Sequence, residues 1–156
     1  MAVEIERKFL LKNNGWRGLG TGTVYRQGFL STVKERVVRI RIAGERATLT
    51  IKGANNGISR QEYDYEIPMD DAEDMLNNLC EKPIIEKTRY VIKHDENTWE
   101  VDEFEGENKG LIIAEVELTD AAQTFTIPDW IGDDVSDDNR YYNSNLIKNP
   151  YCKWAE

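Results

Sequence analysis

The stretch Glu4-Ile5-Glu6-Arg7-Lys8-Phe9 has the period of a β-strand. Side chains on a strand alternate faces, so Glu4, Glu6 and Lys8 share one side and Ile5, Arg7 and Phe9 the other. The same charged alternation returns along the chain. Arg39 and Arg41 oppose Val38, Ile40 and Ile42, and Lys87 and Arg89 oppose Glu86, Thr88 and Tyr90. Glu115 and Glu117 oppose Ala114, Val116 and Leu118, while Glu100 and Asp102 share a face with Phe104. Carboxylates and cations kept on one face of many strands point to a wet, charged cavity.

Outward from the first strand, Val3 to Leu11, the pattern predicts seven more. These are Thr23 to Leu30, Glu35 to Ala43, Arg46 to Lys52, Ser59 to Ile67, Ile84 to Lys93, Thr98 to Phe104 and Leu111 to Thr119. The third and fourth form a hairpin across Gly44 and Glu45, and Asp95-Glu96-Asn97 makes a turn. Trp16 to Thr23 is read as a loop. Asp70 to Glu81 is the best helix, with Asp70 as its cap and an apolar stripe of Ala72, Met75, Leu76 and Leu79. A short helix is expected from Ser136-Asp137-Asp138-Asn139 through Tyr142 to Ile147, after an irregular Pro128 to Gly132. No repeat or linker divides residues 1–156, so one domain is expected. Strands dominate without strand–helix–strand alternation. Closing eight antiparallel strands into a barrel, with a few flanking helices, would remove the sheet edges and leave an interior.

Alternation alone is also what the solvent face of an open sheet produces, and periodicity by itself favours that plainer reading. The segregation of sign favours an interior site. One strand offers only Glu115 and Glu117, others only Arg39 and Arg41 or Lys87 and Arg89. Carboxylates hold divalent ions, and guanidinium forks hold phosphate oxygens in pairs. A polyphosphate chain needs both.

Composition narrows the chemistry. A net charge of -9 argues against a general nucleic-acid or anionic-membrane surface, while leaving room for a local basic pocket. No apolar run reaches the roughly 18 residues of a transmembrane helix, and the N-terminus lacks a signal-like apolar core. Cys80 and Cys152 have no metal-ligand spacing and read as reduced thiols of a cytoplasmic protein. With a single histidine, His94, any metal would rest on carboxylates, which favours magnesium or manganese. The Gly53 to Gly57 loop lacks the lysine and the helix of a P-loop. Tyrosine and tryptophan read as wall and core packing.

The opening Glu4-Ile5-Glu6-Arg7-Lys8 resembles the ExExK signature of the CYTH proteins, or triphosphate tunnel metalloenzymes. The resemblance continues in order along most of the chain. It takes in Arg39-Ile40-Arg41, Lys52, Arg60-Gln61-Glu62-Tyr63-Asp64-Tyr65-Glu66 and Glu86-Lys87-Thr88-Arg89-Tyr90. Trp99-Glu100-Val101-Asp102-Glu103-Phe104, Glu115-Val116-Glu117-Leu118 and Asp138-Asn139-Arg140-Tyr141 complete it. The family includes class IV adenylyl cyclases, thiamine triphosphatases, RNA triphosphatases and small bacterial inorganic triphosphatases. Its fold is an eight-stranded antiparallel barrel whose tunnel binds triphosphate with divalent metal.

The resemblance implies triphosphate contact for Lys8, Arg39, Arg41, Lys52, Lys87, Arg89 and Arg140. It implies metal coordination for Glu4, Glu6 and Glu117, with Glu115, Asp102, Glu62 and Asp64 beside them; Asp64 stands where many members carry glutamate. Catalysis would fall to Glu4 as acceptor of the water proton and to Lys8, Arg39, Arg41 and Lys87 as stabilisers of charge. The implied reaction is hydrolysis of inorganic triphosphate to pyrophosphate and phosphate with Mg2+ or Mn2+, two ions per site. Alternatives are a nucleoside or thiamine triphosphatase, an adenylyl cyclase, or a polyphosphate-binding module without turnover. A homodimer is compatible with the sequence.

Overall fold

A computed structural model describes residues 3–154. The nine strands are β1 (Val3–Leu11), β2 (Thr21–Ser31), β3 (Val37–Ala43), β4 (Arg46–Lys52), β5 (Ser59–Glu66), β6 (Ile85–His94), β7 (Asn97–Phe104), β8 (Ile112–Glu117) and β9 (Ile131–Asp134). Two α-helices are described, α1 (Met69–Asn78) and α2 (Asn143–Lys148). The strand order is β5-β4-β3-β2-β6-β7-β8-β1-β9, and an additional β5–β1 pairing closes eight strands into an antiparallel barrel. The expected barrel is therefore present.

Closure is shared along β1. Its Glu6 to Leu10 segment pairs with β8. On the opposite edge, Val3 to Ile5 pairs with β5, and Phe9 and Leu11 pair with β9. The ninth strand, expected to be irregular, takes the part of the β1 edge that β5 does not reach. An Arg7–Asp134 ion pair joins β9 to β1 across the outer wall. Four residues without alternation, Ile131-Gly132-Asp133-Asp134, carry no strand signal of their own; the unpaired edge of β1 recruits them.

Apolar residues pack outside the barrel wall as well as at one end of its interior. On one flank Phe9, Ile92, Trp99, Val101 and Val116 are covered by Trp16, Trp130 and Phe125 from the loops. On another, Ile40, Ile42 and Ala47 are covered by α1 through Ala72 and Leu76. Leu76 is fully buried, and truncating it to alanine should cost about 2–5 kcal/mol. The end of α1 comes so near β2 that a Cβ at Gly28 would lie 2.9 Å from Cys80 Cβ, which accounts for a glycine in mid-strand. A third cluster joins Phe29, Val37, Ile85, Phe104 and Ile113 to Leu146 and Ile147 of α2, closing one end of the interior. Tyr63 and Tyr65 stay exposed on the outer wall of β5, unlike the packed tryptophans.

Other local expectations change at their ends. Asp70 does not cap α1. Pro68 holds the N-cap position without a side-chain bond, and Asp70 and Asp71 instead place negative charge in the first turn, where the helix dipole favours it. The helix stops at Asn78, short of Glu81. The hairpin turn between β3 and β4 falls on Gly44, whose φ of 62° suits a two-residue turn. The C-terminal helix is divided: a 3-10 turn spans Asn139–Tyr141, Tyr142 is extended, and α2 begins at Asn143.

Candidate active site

The barrel encloses a cavity of about 130 Å³. Its lining includes Glu4, Glu6 and Lys8 from β1, Arg39 and Arg41 from β3, Lys52 from β4 and Glu62 from β5. Lys87 and Arg89 come from β6, and Glu115 and Glu117 from β8. Each sits on the strand face that alternation assigns to it. With Arg60 and Glu100 added, seven cations and six carboxylates converge, so the interior is close to neutral in a chain of net charge -9.

The deep end is built around Asp102, which lies just behind the lining. Arg89 Nε donates to Asp102 Oδ1 at 2.7 Å and Arg89 Nη2 to Oδ2 at 2.9 Å. Lys87 Nζ donates to the same Oδ2 at 2.7 Å. The Lys87 and Asp102 side chains are each 1% exposed. Burial opposes ionisation of Asp102, but Arg89 and Lys87 outweigh it and bring its pKa to about 2. Burial lowers the Lys87 pKa to about 7, with repulsion from Arg89 and Arg41 opposing the pull of Asp102. The guanidinium of Arg41 makes no ion pair among the described residues; its Cζ lies 4.8 Å from the Tyr25 ring centre. Arg39 Nη2 donates to Thr50 Oγ1 at 3.1 Å, while its buried Nε has no partner among the described residues. A guanidinium that lines the cavity with a donor uncommitted to the described residues can bond an acceptor that enters.

Towards the mouth, acids interleave with lysines. Lys8 lies 3.1 Å from Glu115 and 3.3 Å from Glu6; Lys52 lies 2.9 Å from Glu4 and 3.5 Å from Glu62. Burial works against the Lys8 ammonium, yet Glu115 and Glu6 together raise its pKa. Glu6 moves the other way from its neighbour Glu115. Burial and the charge of Glu115 push Glu6 up to about 8, and the two carboxyls share a hydrogen bond. Burial and the charge of Glu4 also raise Glu62, and burial with Glu4 raises Glu117. Carboxyls crowded enough to retain protons form a site where a divalent cation can take the proton's place. The donors are hard oxygens, which fit Mg2+ or Mn2+. Among the described residues no three acids are preset at ligand spacing, because Lys8 and Lys52 occupy their oxygens.

Three expected site residues stand apart. Asp102 is fully engaged with two cations and buried, so it orients Lys87 and Arg89 where metal coordination was expected. Asp64 is exposed and does not line the cavity; its Oδ1 accepts from Thr50 Oγ1 at 2.6 Å, which in turn holds Arg39. Arg140 also lies off the cavity. Its Nη2 donates to Asp138 at 2.7 Å and its Cζ stacks 5.0 Å from the Trp154 ring centre. Residues not expected at the cavity or behind its wall are Arg60, Glu100, Gln27, Tyr142 and Asn143. Arg60 and Glu100 share the strand parity of Glu62 and Asp102, and parity alone would have included them.

A family model described as the CYTH domain matches residues 2–145. A protein of Acetivibrio thermocellus named inorganic triphosphatase is 51% identical over 156 residues, covering 100% of both chains. One of the same name from Nitrosomonas europaea is 40% identical over 148 residues, 92% of this chain and 96% of its own. Among solved structures, that of an inorganic triphosphatase superposes with a TM-score of 0.67 at 36% identity, covering 94% of this chain and 95% of that one. A putative adenylate cyclase from Bacillus halodurans shares the fold, with a TM-score of 0.60 at 16% identity over 78% of this chain and 84% of that one.

Proposed function

The chain belongs to the CYTH family, and on that premise we propose that it hydrolyses inorganic triphosphate to pyrophosphate and phosphate inside the barrel. The observation that carries the reading is the set of inward cations from Lys8 to Arg89, three of which, Arg39, Arg41 and Arg60, have no carboxylate partner among the described residues. Unpaired guanidinium groups in a buried cavity are suited to a chain of phosphate oxygens.

In this reading Lys87, Arg39, Arg41 and Arg89 bind the phosphate oxygens at the deep end, and Lys8, Lys52 and Arg60 bind those nearer the mouth. Glu6, Glu117, Glu4 and Glu62 would hold divalent metal, Mg2+ or Mn2+, up to two ions, with Glu115 close by. Bound metal would supply charge neutralisation and an oriented water. The water oxygen forms the new bond to a terminal phosphorus, and the bond to the bridging oxygen breaks, leaving pyrophosphate. Glu4, held ionised by Lys52, accepts the water proton. The cations stabilise the charge that builds on the leaving oxygen.

The reading takes residues 1–156 as one domain acting on a free small molecule in the cytoplasm; no described helix is long and apolar enough to cross a membrane. Phosphate release from purified protein with triphosphate, ATP and thiamine triphosphate, with magnesium, manganese or neither, tests it. Metal-dependent release far faster from triphosphate than from the other two is expected. Preference for ATP or thiamine triphosphate, cyclic AMP as product, or binding without turnover would each replace it.

A further inference from the structure

At the deep end of the cavity two neutral amides, Gln27 behind the wall and Asn143 in the lining, join Arg41 to Lys87. Arg41 Nε donates to Gln27 Oε1 at 2.8 Å, and Gln27 Nε2 donates to Asn143 Oδ1 at 2.7 Å. Lys87 Nζ donates to the same Asn143 oxygen at 2.9 Å. The chain runs from β3 through β2 to the first residue of α2, and back to β6. Gln27 is completely buried, so both ends of its amide must be satisfied from within, and they are. Its direction is fixed too: Gln27 accepts from a guanidinium that can only donate, so its NH2 must face Asn143. The Asn143 oxygen then receives both Gln27 and Lys87.

This arrangement limits where the cations can point. An ammonium has three N–H groups. Asp102 takes one of those on Lys87 and Asn143 another, which leaves one for an oxygen in the cavity. Arg41 commits Nε to Gln27, and its two terminal nitrogens have no hydrogen-bond partner among the described residues. Carboxylates in place of the amides would hold the cations as firmly but would cancel their charge. Neutral acceptors orient without cancelling, which matters where an anion must bind.

We propose that Gln27 and Asn143 are positioning residues that aim Lys87 and Arg41 at one end of the substrate without neutralising them. The inference rests on the triphosphatase reading. It also gives α2 a part in the chemistry: Leu146 and Ile147 seat the helix in the apolar end cluster, and the seated helix delivers Asn143 to Lys87.

The test compares Asn143→Ala, Asn143→Asp and Lys87→Ala, with melting temperatures measured beside the kinetics. Asn143→Ala should lower kcat about 10- to 100-fold with little change in KM, because the ammonium loses its aim. Asn143→Asp keeps the acceptor but adds a charge, so it should chiefly raise KM, by about tenfold. In the Lys87→Ala background, Asn143→Ala should cost clearly less than it does in the wild type, because only its route through Gln27 to Arg41 remains. Wild-type kcat and KM in Asn143→Ala, or its full loss persisting without Lys87, would overturn the proposal. A fall in melting temperature without the KM-against-kcat split would do the same. Calorimetric affinity for triphosphate in EDTA is read alongside. If the wild type turned over no triphosphate, the function would fall, and the amide pair would then stand or fall on whether Asn143→Asp weakens that affinity.

Discussion

Arg89 grips Asp102 with two parallel hydrogen bonds, 2.7 Å and 2.9 Å, and the carboxylate they hold is 1% exposed. The pair, extended by Lys87, anchors the basic end of the cavity. Replacing Asp102 by asparagine would leave Lys87 without a carboxylate partner and Arg89 with only its longer pairs to Glu100 and Glu115. The expected loss is about 3–5 kcal/mol of unfolding free energy, read from urea denaturation. Divalent-metal affinity should stay near wild type, because Asp102 is occupied by cations. The carboxylate's pKa lies near 2 in the fold against an ordinary 3.8. Its contribution is therefore complete above about 3.8 and disappears as pH falls through about 2. An Asp102→Asn protein of native stability, or one that no longer binds metal, would contradict this placement.

If the proposed metal site is right, Glu6 should set the pH dependence of metal uptake. Burial and Glu115 raise its pKa to about 8, so at neutral pH the metal-free site carries a proton there. A metal ion must displace that proton. Manganese affinity should rise with pH, by up to about tenfold per unit, and level off above about 8. In Glu6→Gln the slope should flatten and the affinity fall. Calorimetry in two buffers of different ionisation enthalpy would count the released proton; an affinity indifferent to pH would refute the assignment.

Lys87 predicts the opposite slope for the anion. With its pKa lowered to about 7, the free side chain is only partly charged near neutrality. A bound triphosphate favours the charged form, so binding draws in a proton. Metal-free triphosphate affinity should weaken as pH rises through about 7 and beyond, and Lys87→Met should remove that component. Unchanged pH dependence in the variant would assign the proton elsewhere.

Much of this was legible in the chain because a closed barrel turns a two-residue period into a statement about inside and outside. Once β5 pairs with β1, every residue in step with Glu4 on β1 faces the lumen, and the segregated signs become neighbours. What parity does not carry is depth or partner. Glu115 and Asp102 look alike as inward acids, yet Glu115 meets Lys8 beside the crowded carboxyls of β1 and Asp102 is sealed between Lys87 and Arg89. Gln27 and Asn143 gave no signal because neutral amides break no charge pattern, and Asn143 reaches the site only through the seating of α2. The fourfold run of β9 is decided by an edge that another part of the chain leaves open.

Arg140 separates the part of the charged pattern that lines the cavity from the part that does not. Its side chain is 54% exposed, bonded to Asp138 and stacked on Trp154 and Tyr141. Arg41, by contrast, lines the cavity, and its two terminal nitrogens are uncommitted among the described residues. To touch a phosphate, Arg140 would have to give up both its carboxylate and its stacking partners. An exposed pair of this kind is a weak restraint, so the comparison has to be made in turnover. Arg41→Ala should reduce kcat/KM for triphosphate by about 100-fold or more, as expected for a lost charge-assisted phosphate contact. Arg140→Ala should change it by no more than about threefold. Equal losses in the two variants would mean that the turn carrying Arg140 swings inward when substrate arrives, and that the cavity is completed only in the complex.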